Sequence, residues 1–184
     1  MRVYFVGAHS VGKSTLARYV SNQYHLPMIP EVARMVLAEM ELQIDTLRSD
    51  IETVNSYQSK VFHRQIEEEQ KYKDFVADRS LIDNIAYSAQ HSTILSKLLQ
   101  DSQLSEYLDR LKDKKSIIFF VRPALATLKN DGIRENVNWE GVIAIDAVIK
   151  TFLSMFEIKF FQINTDNMQE RANLIDTTLS FVSQ

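Results

Sequence analysis

Apolar residues along the chain follow two rhythms. Five short runs rich in Val, Ile and Phe, from Val3 to Val6, Leu26 to Ile29, Phe75 to Ala77, Ile117 to Val121 and Ile158 to Ile163, read as buried strands. Between them, apolar positions recur at helical steps. Ile51, Val54, Tyr57, Val61, Phe62 and Ile66 fall near one face, which predicts a core-facing helix with Asp50 as its N-cap. Further helices are predicted over Gly12 to Tyr24, Leu81 to His91, Ile94 to Leu111, Trp139 to Phe156 and Met168 to Phe181. Glu67, Glu68 and Glu69 read as a solvated stretch of helix surface.

Strands alternating with helices predict an α/β domain, a mainly parallel sheet with helices on both faces, because parallel neighbours need a crossover connection. No repeat or compositional break divides the chain, so residues 1–184 are expected to form one domain. In such a sheet the residues following each strand converge at one edge, however far apart they are in sequence. Candidate chemistry is therefore sought there.

Composition narrows the picture. With 45% apolar and 24% charged residues, collagen-like, low-complexity and disordered classes are excluded. The absence of cysteine excludes disulfide frameworks, thiolate metal sites and cysteine nucleophiles, and makes the cytoplasm the default expectation. The first apolar run, Val3 to Val6, is far too short for a membrane span or a signal-peptide core, so no membrane partner is expected. A net charge of -3 supplies no global positive field, which disfavours a polynucleotide partner. Glycine is scarce: 4 residues are present, where an average chain of this length would hold about 13.

Two of those glycines open the chemistry. Gly7-Ala8-His9-Ser10-Val11-Gly12-Lys13-Ser14-Thr15 follows the first predicted strand and leads into a helix. It fits the phosphate-loop pattern, in which backbone N–H groups curl around phosphate oxygens at a helix N-terminus. Lys13 would place its charge on the β and γ phosphates, and the Ser14 hydroxyl would ligate Mg²⁺. His9 is expected to point outward and Thr15 to pack along the helix. His25, His63 and His91 lack ligand spacing, so no protein-held transition metal is expected. After the fifth predicted strand, Asn164-Thr165-Asp166 lacks the lysine of a guanine-recognition motif. A GTPase is thereby disfavoured.

Other segments reach the same edge. The second strand delivers Pro30-Glu31-Val32-Ala33-Arg34, where Glu31 could accept a proton from an attacking hydroxyl and Arg34 could clamp an anion; a helix-start glutamate with a surface arginine is the alternative. The third strand ends in Asp78-Arg79-Ser80. Asp78 could hold the magnesium water shell and Arg79 could bind phosphate, or Asp78 could cap the next helix while Arg79 pairs with Asp83. Asp83 and Tyr87 share a face that could look into an acceptor pocket. The polar segment Lys129-Asn130-Asp131-Gly132-Ile133-Arg134, within a stretch of about 125–138, suits a lid hinged on Gly132.

These segments, "GAHSVGKSTLA", "PEVAR", "DRSLIDNIAY" and "DGIRE", resemble the small P-loop kinases of nucleosides and nucleotides, most closely the family around the ribosylnicotinamide kinase domain of NadR. The resemblance spans most of the chain. It implies a three-layer P-loop NTPase fold with a five-stranded parallel sheet, and ATP and Mg²⁺ as cosubstrate and cofactor. It further implies phosphoryl transfer to a small nucleoside-like acceptor, with Arg134 as the lid arginine and Asp78-Arg79 as an acidic-Arg-Ser motif. A homodimer is compatible with it. A kinase of a hydroxymethylated base in DNA and a non-catalytic nucleotide-dependent switch are the competing readings.

Overall fold

The computed structural model describes residues 1–43, 47, 49–124 and 139–182. The segment 125–138, with Lys129, Gly132 and Arg134, lies outside the described residues. Five strands form one sheet: β1 (Arg2–Val6), β2 (Met28–Ile29), β3 (Phe75–Asp78), β4 (Ser116–Val121) and β5 (Phe161–Ile163). Their order is β2-β3-β1-β4-β5, and every pairing is parallel. β1 is central because its side chains have nowhere polar to go. Val3, Tyr4, Phe5 and Val6 are all fully buried, and Phe5 stacks on Phe119 of β4 with ring centroids 5.3 Å apart.

The helices are α1 (Lys13–Tyr24), α2 (Val32–Glu39), α3 (Ile51–Gln70), α4 (Leu81–His91), α5 (Leu95–Leu99), α6 (Ser102–Lys112), α7 (Trp139–Met155) and α8 (Met168–Val182). From β1 to β2 the chain moves toward one sheet edge, and every later crossover moves toward the other. Right-handed connections then put α1 on one face and α2 to α7 on the opposite face. Packing agrees: α1 lies against β1, β2, β3 and α8, while α3 meets α4 and α4 meets α7. Asp50 caps α3 as expected, its carboxylate accepting the Thr53 N–H at 2.8 Å.

Several expectations need correction. The apolar period from Ile94 to Leu111 is broken into α5 and α6, because the Asp101 carboxylate accepts the Gln103 N–H and starts a new helix. β5 begins only at Phe161. The preceding residues close α7 instead, with Glu157 at φ 55° and the Ile158 N–H bonded to the Leu153 carbonyl. β2 likewise shrinks to two residues. Of the stretch expected to be solvated, Glu68 and Glu69 are buried, and the Glu69 carboxylate is fully covered beneath the sheet. There it accepts from the Tyr4 hydroxyl at 2.9 Å, the Tyr107 hydroxyl at 2.7 Å, Gln65 Nε2 at 2.9 Å and Arg110 Nη2 at 2.7 Å. Glu69 lies three residues beyond Ile66, so it continues the buried stripe of α3, and its charge is tolerated because a cation and three further donors surround it.

Candidate active site

The loop between β1 and α1 is shaped by close approach. Gly7 has φ 149°, and a Cβ there would come 2.4 Å from the carbonyl oxygen of Val121 at the end of β4, so only glycine fits. Gly12, at φ 94°, caps the N-terminus of α1 in the left-handed region, where a side chain costs strain. Ser10 between them is left-handed too, at φ 61°. Alternation of this kind curls successive backbone groups into an anion-binding concavity.

Lys13 is buried at the first turn of α1, and its ammonium donates to the carbonyl of Ala8 across the loop at 2.6 Å. Burial and the neighbouring Arg79 lower its pKa to about 8, against opposing pulls from Asp78, Asp83 and Glu31. Ser14 is half-buried beside it, whereas Thr15 is exposed rather than packed. His9 departs from its expected outward orientation. Its backbone N–H donates to the Tyr87 hydroxyl at 3.1 Å, and its Nδ1 lies 3.0 Å from the same oxygen.

The second and third strands bring their residues to this edge. Glu31 immediately precedes α2, and its two carboxylate oxygens are divided: Arg79 Nε donates to Oε1 and Arg34 Nε to Oε2, each at 2.8 Å. Burial would raise the Glu31 pKa, but Arg79, Lys13 and Arg34 together hold it down to about 2. Arg79 adopts φ 96°, an unusual conformation for a non-glycine residue that is commonly maintained only where a site needs it. Its guanidinium lies over the Tyr87 ring, 5.1 Å from the centroid. Asp78 closes β3 opposite Phe5, almost fully buried.

Asp83, expected to face an acceptor, is engaged by the protein's own backbone. Its Oδ1 accepts the Gly7 N–H at 3.0 Å, and its Oδ2 accepts the Ser80 N–H at 2.9 Å in a capping box that starts α4. With a fully buried carboxylate engaged on both sides, Asp83 anchors the loop from behind. Ser80, not Asp78, supplies the helix cap. The Arg79–Asp83 approach is loose at 3.6 Å. Tyr87 joins the loop to α4 through its hydroxyl.

Mg²⁺ keeps most of its waters and takes one or two protein oxygens alongside phosphate. Oxygen donors of that kind stand at this edge in Ser14, half-buried in the first turn of α1, and in Asp78 at the end of β3. Among the described residues no group of three or more His, Asp or Glu could hold a metal by itself, and no helix is long and apolar enough to cross a membrane.

One participant escaped the sequence reading. Arg171 of α8 is fully buried, and its guanidinium donates to the carbonyl of Val11 at 2.6 Å and to that of Thr165 at 2.7 Å. Its signal was a cation four and eight residues before Ile175 and Leu179, on the buried stripe of α8.

Solved structures share this architecture. Deoxyadenosine kinase from M. mycoides, with the products dCMP and dCDP, superposes with a TM-score of 0.68 at 16% identity, covering 98% of this chain and 99% of that one. NadR in complex with NR gives 0.68 at 18% identity over 89% of this chain and 45% of its own, so this chain corresponds to about half of it. Shikimate kinase from Aquifex aeolicus gives 0.59 at 14% identity, with 98% and 96% covered. Among curated proteins no sequence matches. A family model described as AAA domain matches residues 2–171, nearly the whole chain, and the protein belongs to that family.

Proposed function

We propose that the protein is an ATP- and Mg²⁺-dependent phosphotransferase acting on a small nucleoside-like acceptor, a nucleoside or a nucleoside monophosphate. The observation that carries this reading is the meeting of Lys13, Glu31 and Arg79 at one sheet edge, supplied by three different strand ends. Phosphoryl transfer asks little covalent chemistry of a protein; positioning and charge stabilisation dominate. The loop from Gly7 to Thr15 would cradle the donor phosphates. Lys13 would leave the Ala8 carbonyl for the phosphate oxygens, and Arg134, by its place in the sequence, would add charge as the transition state forms. Ser14 and Asp78 would hold Mg²⁺, which would supply neutralisation of the negative charge on the donor phosphates.

Glu31 favours a hydroxyl acceptor. It is ionised and would receive or orient the proton of an attacking hydroxyl, a task that a phosphate acceptor, already nucleophilic, would not need. A low pKa limits its strength as a base, but a loose transition state needs the hydroxyl oriented more than deprotonated. A nucleoside is therefore the preferred acceptor. The cysteine-free composition suits a cytoplasmic setting.

Steady-state ADP release across panels of nucleosides, nucleoside monophosphates and hydroxymethylated oligonucleotides tests the proposal, with Lys13→Ala as control. Turnover with nucleosides that Lys13→Ala abolishes is expected. Turnover only with monophosphates overturns the acceptor assignment, and turnover on oligonucleotides favours the DNA-base reading. Slow hydrolysis with no acceptor phosphorylated favours a nucleotide-dependent switch.

A further inference from the structure

Arg171 is a buried cation with an incomplete set of partners. The described hydrogen bonds of its guanidinium run to two main-chain carbonyls, and among the described residues its Nη2 finds no partner at all. A buried charge left this way is costly, and structures retain such a cost where it does something. The location suggests what. Nη1 would lie 3.1 Å from a Cβ built on Gly12, so the guanidinium sits against the residue that precedes Lys13.

We propose that Arg171 is a positioning residue for the donor phosphates, acting through the Val11–Gly12 peptide. The planarity of that peptide links the direction of its carbonyl to that of its N–H. Among the described residues no peptide bond is cis, and in a trans peptide the C=O and the following N–H point in opposite directions. With the Val11 carbonyl held by Arg171, the Gly12 N–H is turned to the opposite side, away from α8 and toward the concavity of the loop. Rotation of this peptide would replace a donor by a carbonyl in the cradle and repel phosphate. The left-handed φ of Gly12 leaves the peptide free to rotate unless something outside the loop fixes it.

A second effect follows from the same contacts. By donating also to Thr165, Arg171 ties the loop to the segment after β5, where the Asp166 carboxylate also acts on its charge. A bound polyphosphate would add a further source of negative charge beside Gly12. The inference deepens the phosphotransferase reading and depends on it for the nucleotide.

The scarcity of glycine makes the test clean. Selective heavy-nitrogen labelling of glycine gives at most 4 backbone amide resonances. Gly12 reports the peptide in question, and Gly141, with nothing within 4 Å of its Cβ position, reports an intact fold. On titration of the full chain with MgADP, the Gly12 resonance should move strongly in the wild type. In Arg171→Gln it should stop short of that position, with Gly141 unchanged, and Kd for MgADP should rise about tenfold, the loss of a charged hydrogen bond. Arg171→Lys keeps the charge and should fall between the two.

A purely structural arginine would lower the melting temperature and leave both the bound Gly12 resonance and Kd unchanged, which overturns the proposal. If Arg171→Gln does not fold, Arg171→Lys decides alone: equality with the wild type in both readouts overturns the inference. If the wild type itself binds neither MgADP nor MgATP, the phosphotransferase reading fails first and takes this one with it.

Discussion

The guanidinium of Arg79 donates its Nε–H to Glu31 Oε1 at 2.8 Å, although 48 residues separate the two in sequence. β2 and β3 are neighbours in the sheet, so the residues that leave their ends arrive side by side. The pair therefore forms one unit. Glu31→Gln and Arg79→Lys should each lower kcat by about 100-fold, the scale on which loss of a group that positions reacting atoms is felt. The double variant should lose much less than the product, with a coupling of about 1–3 kcal/mol. Multiplicative losses in steady-state kinetics would mean that the two residues act independently.

Lys13 should make the unliganded protein sensitive to alkaline pH. Its pKa is lowered to about 8, so above that value the ammonium loses its proton and its attraction for phosphate. kcat/KM for ATP should fall as pH rises through about 8, while kcat at saturating ATP should hold to higher pH because bound phosphate favours the protonated amine. Glu31, held near 2, stays ionised as pH falls through the ordinary carboxylate range, so no acid limb from this group is expected near 4.5. Paired pH profiles of kcat and kcat/KM check both signs.

Gly7 has no spare space. Gly7→Ala would push a methyl group to 2.4 Å from the Val121 carbonyl and hold it at φ 149°. Unfolding in urea should show a loss of about 1–3 kcal/mol from the backbone strain alone. Nucleotide-induced stabilisation should disappear as well, because the loop must shift away from β4 to accommodate the methyl.

Glu69 separates stability from function. Its carboxylate anchors Tyr4, Tyr107, Gln65 and Arg110 beneath the sheet, with no contact to the phosphate loop among these bonds. Glu69→Ala leaves Arg110 without its ion-pair partner and should cost about 3–5 kcal/mol in denaturant unfolding. At temperatures where the variant stays folded, KM and kcat should be those of the wild type.

The local features were written plainly in the chain. The Gly7 to Thr15 motif, the five apolar runs and the helical periods between them fixed the α/β class and the sheet edge at which Lys13, Glu31 and Arg79 meet, because backbone conformation and burial follow directly from residue type and period. Pairings were not legible in this way. That Glu31 faces Arg79, that Asp83 holds Gly7, that His9 meets Tyr87, and that Arg171 reaches back 160 residues to Val11 depend on strand order and on which helix lies behind the loop. A charged side chain on a predicted helix carries no mark of its partner. Glu69 and Arg171 look like surface residues until the packing of α3 and α8 takes water away from them, and only then must each find donors or acceptors. The sequence by itself determined the phosphate loop and its place in the sheet; the tertiary structure decided which charges are joined, because those bonds form between elements that meet only when the sheet is assembled.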